Sequence, residues 1–318
     1  MIKKIGVLTS GGDAPGMNAA IRAVVRAGIS NGLEVYGIFD GYRGMYEGKI
    51  DRLYRKSVSE KINRGGTFLG TDRLPEFKYK EIREVAIENV HEFGIDGVVC
   101  IGGDGTYHGA LELSKMGLKC VGVPGTIDND ISGTDYTIGF DTALTTIVDA
   151  VDKLRDTSSS HRRCSVVEVM GRNCGALAIH AGIAVGAEMV ITSETGYNPD
   201  ELVDIICEAA KTKRHAIVLV AERVTDINEM TKLITDKTPF TARSTILGYV
   251  QRGGCPTPRD RILASCMGAK AVDELMNGDG GTCICEKNNT LVAIPLEEAL
   301  STKRDQVSDK MRVFKELW

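Results

Sequence analysis

The sequence predicts an α/β protein in which largely parallel sheets are covered by helices on both faces. Short apolar runs alternate with helical patterns along the whole chain, which is typical of this fold class. Glycine is enriched, with 36 of 318 residues, and the glycines cluster where apolar runs end. Glycine at such positions lets the backbone approach a ligand closely.

The predicted elements follow from apolar runs for strands and from apolar residues at helical spacing for helices. The predicted strands cover residues 5–8, 33–39, 97–101, 118–123, 164–170, 189–191, 215–221 and 244–249. The predicted helices cover residues 17–29, 80–93, 107–116, 141–155, 174–185, 199–211, 227–235 and 259–276.

Two segments mark candidate domain boundaries inside this continuous pattern, residues 133–139 and 251–258. Two boundaries predict a chain that leaves a first domain and later returns to it. We therefore expect one domain from residues 1–138 and 251–300, and a second from residues 139–250 and 301–318.

Composition excludes several function classes. A net charge of −4 and a sequence pI of about 5.8 argue against binding to nucleic acid or to anionic membranes. The sequence contains no run of about 18 apolar residues, so no membrane span is predicted. Nine cysteines without a CxxC pair indicate free thiols in a reducing cytoplasm.

Two glycine loops connect predicted strands to helices. The loop from Thr9 to Asn18 offers backbone N–H groups at a helix start, although a plain tight turn is an alternative. Residues 101–107 hold three glycines around Asp104, which suits a phosphate and Mg²⁺ site. The same Gly-Gly-Asp-Gly-Thr pattern occurs in lipid and dinucleotide kinases, so alone it indicates only a nucleotide phosphate.

A third loop, from Pro124 to Asp130, follows another predicted strand. Its two aspartates can bind a cation, accept a proton or hold a substrate hydroxyl, and a solvated turn is the alternative. If the second loop holds a nucleotide, Asp128 or Asp130 is the candidate base that deprotonates an attacking hydroxyl. Arginines follow two further strands, in residues 169–173 and 248–254, and suit anchoring or stabilising a phosphoryl group. Surface salt bridges would be the simpler explanation for each arginine alone.

Together these segments resemble ATP-dependent 6-phosphofructokinases of the bacterial allosteric type, the phosphofructokinase A family. The blocks Thr9–Ala20, Asn63–Gly70, Gly102–Thr106, Pro124–Asp130, Val169–Arg172 and Gln251–Gly254 occur in the family's order along nearly the whole chain. The resemblance implies two Rossmann-like three-layer α/β/α domains, one for ATP and one for fructose 6-phosphate, with the active site in the cleft between them. It also implies the committed step of glycolysis: fructose 6-phosphate and MgATP give fructose 1,6-bisphosphate and ADP.

The resemblance also implies roles for residues at matching positions. The catalytic set is Asp128 as base, with Arg172, Thr126 and Asp130. The ATP set is Gly12, Arg73, Leu74, Gly103, Asp104, Gly105 and Thr106, with Asp104 facing Mg²⁺. The sugar phosphate set is Thr126, Asp128, Arg163, Met170, Gly171, Arg172, Glu222, Arg243, Tyr249 and Arg252. The family supplies the counterparts of Arg163 and Arg243 from a neighbouring subunit, so a cytoplasmic homotetramer with shared sites is expected.

An effector site between subunits is expected for ADP as activator and phosphoenolpyruvate as inhibitor. Its residues would be Arg22, Arg26, Arg55, Arg155, Gly186, Glu188, Lys211, Lys213, Arg214 and His215. Solvated helix faces are the alternative for these basic clusters.

Three positions separate this chain from variants of the family. Tyr249 stands where the family commonly has His, and a tyrosine hydroxyl carries no cationic form. Gly105 and Gly125 replace the Asp and Lys of pyrophosphate-dependent enzymes, which favours ATP as donor. The alternatives are a pyrophosphate-dependent enzyme, a kinase for another substrate, or a catalytically silent nucleotide sensor.

Overall fold

A computed structural model describes residues 2–278, 280–301, 305 and 307–317. The chain divides into two compact units. Unit 1 comprises Met1–Ile127, Ile131–Thr142 and Arg252–Arg304, and unit 2 comprises Asp128–Asp130, Ala143–Gln251 and Asp305–Trp318.

The strands and helices alternate over most of the chain as the apolar pattern predicts, but the elements within residues 41–53, 138–139, 282–301 and 308–317 were not predicted. The strands are β1 (Lys4–Ser10), β2 (Glu34–Ile38), β3 (Ile50–Leu53), β4 (Gly97–Gly102), β5 (Lys119–Thr126), β6 (Ile138–Gly139), β7 (Arg163–Val169), β8 (Met189–Ile191), β9 (Ala216–Ala221), β10 (Thr241–Ile246), β11 (Thr282–Lys287) and β12 (Thr290–Pro295). The helices are α1 (Met17–Ser30), α2 (Gly41–Glu47), α3 (Lys80–Glu92), α4 (Asp104–Lys115), α5 (Phe140–His161), α6 (Ala176–Val185), α7 (Pro199–Thr212), α8 (Ile227–Lys237), α9 (Pro258–Met276), α10 (Leu296–Ser301) and α11 (Ser308–Leu317).

The sheet of unit 1 has the strand order β12-β11-β5-β4-β1-β2-β3, with β6 paired to β5. Its pairs are parallel except at the two ends, where β3 and β12 run antiparallel to their neighbours. The central strands are apolar because helices cover both faces: every residue of β4 is buried, and only Lys119 of β5 is exposed. The mostly parallel α/β fold class is therefore confirmed.

Unit 2 contains a parallel sheet with the order β10-β7-β9-β8. The edge strand β10 begins and ends three residues earlier than the predicted strand over 244–249. Exposed and buried residues do not alternate cleanly in β10, so the pattern did not define the ends of the strand. The predicted element therefore began at Ser244 instead of Thr241. Gly248, with φ of 55°, begins a 3₁₀ turn instead of continuing the strand.

The sequence pattern missed the hairpin of β11 and β12. Lys287 pairs with Thr290 across a two-residue turn, and both turn residues, Asn288 and Asn289, have positive φ. Asn tolerates this left-handed conformation, so the Asn-Asn pair was the available signal for the hairpin. No helix in the described ranges is long and apolar enough to cross a membrane.

A buried carboxylate joins α9 to the start of α5. Asp260, only 1% exposed, accepts hydrogen bonds from the backbone N–H groups of Gly139 and Thr142, each at 2.9 Å, and from the Thr142 hydroxyl. Burial raises the pKa of this carboxyl, and the same hydrogen bonds partly oppose that rise. Thr257, which caps α9, donates in return to Asp141 Oδ2 at 2.6 Å. Asp260 thus caps the start of α5, and hydrogen bonds in both directions join the two helix starts.

We expect Asp260→Ala to lower the free energy of unfolding by about 2–4 kcal/mol, because three buried donors lose their acceptor. The matched control is Asp273→Ala, an exposed aspartate on the same helix, which should change it by less than about 0.5 kcal/mol. Urea unfolding followed by circular dichroism measures both. Equal effects of the two substitutions would contradict the capping role.

Candidate functional site

Three candidate loops begin side by side at one edge of the unit 1 sheet. Strand pairing places Ser10, at the end of β1, opposite Gly102 of β4, and Gly102 opposite Pro124 of β5. The strand order also reverses at β1, since β2 lies on one side of β1 and β4 on the other. Ligands of open α/β sheets bind at such a switch point, beyond the carboxyl ends of the strands.

Two helix starts face this edge, those of α1 and α4. Gly16, with φ of 106°, precedes α1, whose first turn has neither a side-chain cap nor an acidic residue. Gly103 precedes α4, also without a side-chain cap. The first N–H groups of a helix favour a bound anion, and phosphate groups suit two such starts at one switch point.

The first turn of α4 is held by buried hydrogen bonds. The hydroxyl of Thr106 donates to Ser10 O at 2.9 Å, and Tyr42 donates to Thr106 O at 2.6 Å. A Cβ at Gly109 would lie 2.4 Å from the Tyr42 ring, so glycine is what lets that ring lie against α4. At Gly105, by contrast, a Cβ would have no neighbour within 4 Å. The backbone at Gly105 is therefore fixed, while the space above it is open.

Arg252, the last residue of the 3₁₀ turn, lies over the first glycine loop. A Cβ built on Gly12 would be 2.9 Å from Arg252 Nη1, so this guanidinium packs against bare backbone. Arg252 thus belongs with the Gly12 loop inside unit 1. Arg73 is exposed and Leu74 half-buried, and Arg73 O accepts a hydrogen bond from Arg43 at 2.8 Å.

The aspartate loop ends β5 with its central residue turned inwards. Asn129 is 1% exposed with φ of 53°, while the flanking Asp128 and Asp130 are half-buried. The hydroxyl of Thr137 donates to Thr126 O at 2.6 Å, which fixes the last residue of the strand. Burying the middle residue leaves the two carboxylates as the accessible groups of the loop.

Within unit 2, Cys174 links the aspartate loop to the arginine loop. Its backbone N–H donates to Gly171 O at 2.9 Å, and Gly171 has φ of 145°. Burial raises the pKa of the Cys174 thiol to about 11, and the negative charges of Glu194, Asp130 and Asp128 add to this rise. Both aspartates therefore lie close enough to the Gly171 loop to act on this thiol electrostatically.

The carboxyl ends of β7 and β9 place Glu222 beside Arg172. Val169 pairs with Ala221, so residues 170–172 and Glu222 leave neighbouring strands at the same edge. Glu222 Oε1 accepts a hydrogen bond from Arg172 N at 2.7 Å. Burial, and then the charge of Glu222, raise the pKa of the Glu168 carboxyl. This edge thus carries carboxylate acceptors and an arginine at the ends of neighbouring strands.

Arg163 does not lie with the other predicted sugar phosphate residues of its unit. It begins β7, and the Met170 loop follows the other end of this seven-residue strand, a separation of about 20 Å. Arg243 lies on the edge strand β10, and Tyr249 is 77% exposed in the turn after it. Arg163 therefore cannot reach this edge from within the same unit.

Four of the ten predicted effector residues gather at the amino ends of the unit 2 strands. Glu188 is 2% exposed and accepts hydrogen bonds from Lys213 Nζ at 2.7 Å and from Ile217 N at 2.5 Å. Arg155 Nη1 lies 3.1 Å from His215 Nε2. The pKa of His215 is lowered, mainly by burial. The charge of Glu188 opposes this change, and the charges of Arg155 and Lys213 add to it.

Of the remaining predicted effector residues, Lys211, Arg214 and Gly186 lie in unit 2, and three arginines lie in unit 1. Lys211 forms an exposed ion pair with Glu208, and Gly186 ends α6 with φ of 59°. Arg22, Arg26 and Arg55 lie in unit 1, where burial and then the charge of Arg26 lower the pKa of Arg22. Two arginines one turn apart on α1 suit an anion.

Sequence reasoning missed Tyr42 and Cys174, and it gave Asn18 no role of its own although Asn18 lies in the Thr9–Ala20 block. Asn18 hydrogen-bonds residues 46 to 50 positions away along the chain. A single sequence contains no pattern for such long-range partners. The glycine at 109, required by the Tyr42 ring, was the available hint for that contact.

Comparisons with known proteins agree with one another. The family model described as Phosphofructokinase matches residues 4–275. A protein named ATP-dependent 6-phosphofructokinase from Photobacterium profundum is 57% identical over 308 residues, 96% of each chain. One of the same name from Vibrio campbellii is 56% identical over 320 residues, 100% of each chain. The solved phosphofructokinase of Saccharomyces cerevisiae matches with a TM-score of 0.88 and 37% identity, over 94% of this chain and 45% of that chain.

Cys174 provides a test of the charges in the aspartate loop. With a thiol pKa of about 11, only about one molecule in a thousand carries the reactive thiolate at pH 8. Asp128→Asn and Asp130→Asn each remove a negative charge, so alkylation of Cys174 by iodoacetamide should become faster. Mass spectrometry measures the rate, with Asp200→Asn as a control. Unchanged rates in both loop variants would show that the carboxylates do not act on this thiol.

Proposed function

The chain belongs to the phosphofructokinase family, and we propose how its residues share the work of phosphorylating fructose 6-phosphate with ATP. The reaction transfers the terminal phosphoryl group of ATP to the sugar 1-hydroxyl and yields fructose 1,6-bisphosphate and ADP. The observation that carries the assignment of roles is the alignment of Ser10, Gly102 and Pro124 across three neighbouring strands.

We assign the nucleotide to the loops of unit 1. The starts of α1 and α4 supply backbone N–H groups for phosphates, with Gly12, Gly103, Asp104 and Thr106 nearest to them. The open space above Gly105 accommodates ATP. Gly125 has a different reason to be glycine, because a Cβ there would lie 3.0 Å from Ile101 and 3.2 Å from Met17. Arg73 and Leu74 would contact the rest of the nucleotide.

The donor set suits magnesium bound mainly through phosphate. Asp104 is the first residue of α4, and its side chain is 41% exposed beside the phosphate-binding helix start. No group of three His, Cys, Asp or Glu residues able to hold a metal occurs among the described residues. Mg²⁺ characteristically takes one or two carboxylates and completes its shell with phosphate oxygens and water. Bound in this way by Asp104, it would neutralise charge on the transferring phosphoryl group.

We assign proton abstraction to Asp128, which would take the proton of the sugar 1-hydroxyl as its oxygen attacks. Asp130 and Thr126 support this base, and the Arg172 side chain stabilises charge on the phosphoryl group in transit. The remaining contacts to the sugar phosphate are assigned to Met170, Gly171, Glu222, Tyr249 and Arg252. Phosphoryl transfer needs mainly positioning and charge stabilisation, and these assigned roles provide both.

Replacing the base tests this assignment. We expect Asp128→Ser to lower kcat by about 10²-fold or more, as loss of a general base does, with ATP affinity little changed. A coupled assay measures turnover, and fluorescence titration measures ATP binding. Asp200→Ser, in the exposed first turn of α7, is the matched control and should keep normal turnover. Turnover of Asp128→Ser near that of the unmodified protein would refute the role.

We further propose that the active chain is a homotetramer regulated by anions. Arg163 lies at the opposite end of β7 from Met170. We therefore assign it to the sugar phosphate site of a neighbouring subunit, and we assign Arg243 to that site as well. The basic residues at 155, 186 and 211–215, with Glu188 and the arginines at 22, 26 and 55, would bind ADP as activator and phosphoenolpyruvate as inhibitor. Effectors that prefer different subunit arrangements shift the population between them.

Arg22 and Arg26 test the effector site. We expect the double substitution to alanine to reduce the response to ADP and phosphoenolpyruvate at least severalfold, because two cations that attract an anion are lost. The maximal rate should stay near normal. Steady-state kinetics with and without each effector measure this, with the exposed Arg52→Ala as control. A lower maximal rate with an unchanged effector response would contradict the proposal.

We also propose a cytoplasmic location. All nine cysteines are free thiols, as is usual in a reducing compartment. Glycolytic substrates are found in the same compartment.

A further inference from the structure

The block from Asn63 to Gly70 matches the family pattern, yet the proposed function gives it no role. Its residues 64–70 continue into Thr71 and cross the first glycine loop as irregular chain. We call residues 64–71 the strap. We propose that Asn18 is a positioning residue that holds the strap against the ligand loops of unit 1, and so sets the affinity for both substrates.

Asn18 uses its whole amide group on the strap. It is the second residue of α1 and 3% exposed. Its Nδ2 donates to Arg64 O and to Gly65 O, each at 3.1 Å, and its Oδ1 accepts from Phe68 N at 2.8 Å. Three backbone groups without regular secondary structure are thus satisfied by one buried side chain.

Threonines fasten the rest of the strap to the first glycine loop. Thr9 Oγ1 lies 2.8 Å from Thr67 Oγ1 and donates to Gly70 O at 2.9 Å. Thr71 Oγ1 donates to Gly11 O at 2.8 Å, next to Gly12. Arg73 follows two residues after the end of the strap. The position of the strap therefore sets the two proposed nucleotide contacts, at Gly12 and at Arg73.

The other face of the strap touches the loop that bears Arg252. A Cβ at Gly65 would lie 2.4 Å from Gly254 O, so the two backbones are in direct contact there. Because Arg252 also packs over Gly12, the strap, the nucleotide loop and the phosphate-anchoring loop are joined in one closed set of contacts. Loosening the strap would therefore disturb both substrate sites. This inference rests on the ligand roles proposed above for Gly12, Arg73 and Arg252.

Asn18→Asp is the principal test, because it keeps the shape and the acceptor for Phe68 N. It replaces the N–H donors with an oxygen that faces two carbonyl oxygens. We expect the KM values for ATP and fructose 6-phosphate each to rise roughly tenfold at pH 8, as for the loss of a buried hydrogen bond, with a smaller change in kcat. Lowering the pH protonates the new carboxyl, restores one donor and should bring both KM values back towards normal.

Asn89→Asp is the matched control for a purely structural effect. Asn89 Nδ2 also donates to two backbone carbonyls, Met45 O at 3.1 Å and Tyr46 O at 2.7 Å, at the end of α2. This variant should lose stability and keep both KM values. The pair Thr71→Val and Thr71→Ser tests the strap at a more exposed position: valine should raise both KM values, and serine, which retains the hydroxyl, should rescue them.

Unchanged KM values in Asn18→Asp and Thr71→Val, or equal changes in Asn89→Asp, would overturn the positioning role. Arg73→Ala and Arg252→Ala separate this failure from a failure of the proposed function. If these two variants raise the KM values while the strap variants do not, only the strap proposal is wrong. If they leave the KM values unchanged, the assigned ligand roles are wrong.

Discussion

The site depends on the parallel pairing of β1, β4 and β5. Hydrogen bonds along these strands fix Ser10, Gly102 and Pro124 at one level of the sheet, so three loops distant in sequence begin as neighbours. A slip of one residue in any pair would exchange the side chains that pack against the helices on the two faces, and so disrupt both layers of packing. Burial of these strands therefore stabilises the fold and aligns the loops at the same time.

The sheet of unit 2 uses the two ends of its strands for different groups of residues. Met170 and Glu222 follow the carboxyl ends of β7 and β9, while Glu188 and His215 precede the amino ends of β8 and β9. The proposed substrate and effector groups are thus connected by the same short, fully buried β9. A displacement of that strand along its axis would reach both groups, and this would be a direct physical route for the proposed regulation.

Much of the fold and of the candidate site could be predicted from the sequence, and the misses share a cause. Apolar runs followed by glycine predicted the mostly parallel sheets, because buried parallel strands are continuously apolar. The edge strand β10 and the hairpin strand β11 carry mixed patterns and were misplaced or missed. The roles of Asn18 and Tyr42 depend on side chains meeting backbone more than 40 residues away. Local spacing contains no record of such meetings.

The cap that Asp260 provides for α5 has a consequence for biosynthesis. Its partners at Gly139 and Thr142 leave the ribosome more than one hundred residues earlier. Likewise, β5 must wait for β11, its parallel neighbour, until residue 282 has been made. The sheet of unit 2, by contrast, lies within one continuous stretch, from Ala143 to Gln251. During translation the sheet of unit 2 is therefore complete before the sheet of unit 1, which needs β11 and β12.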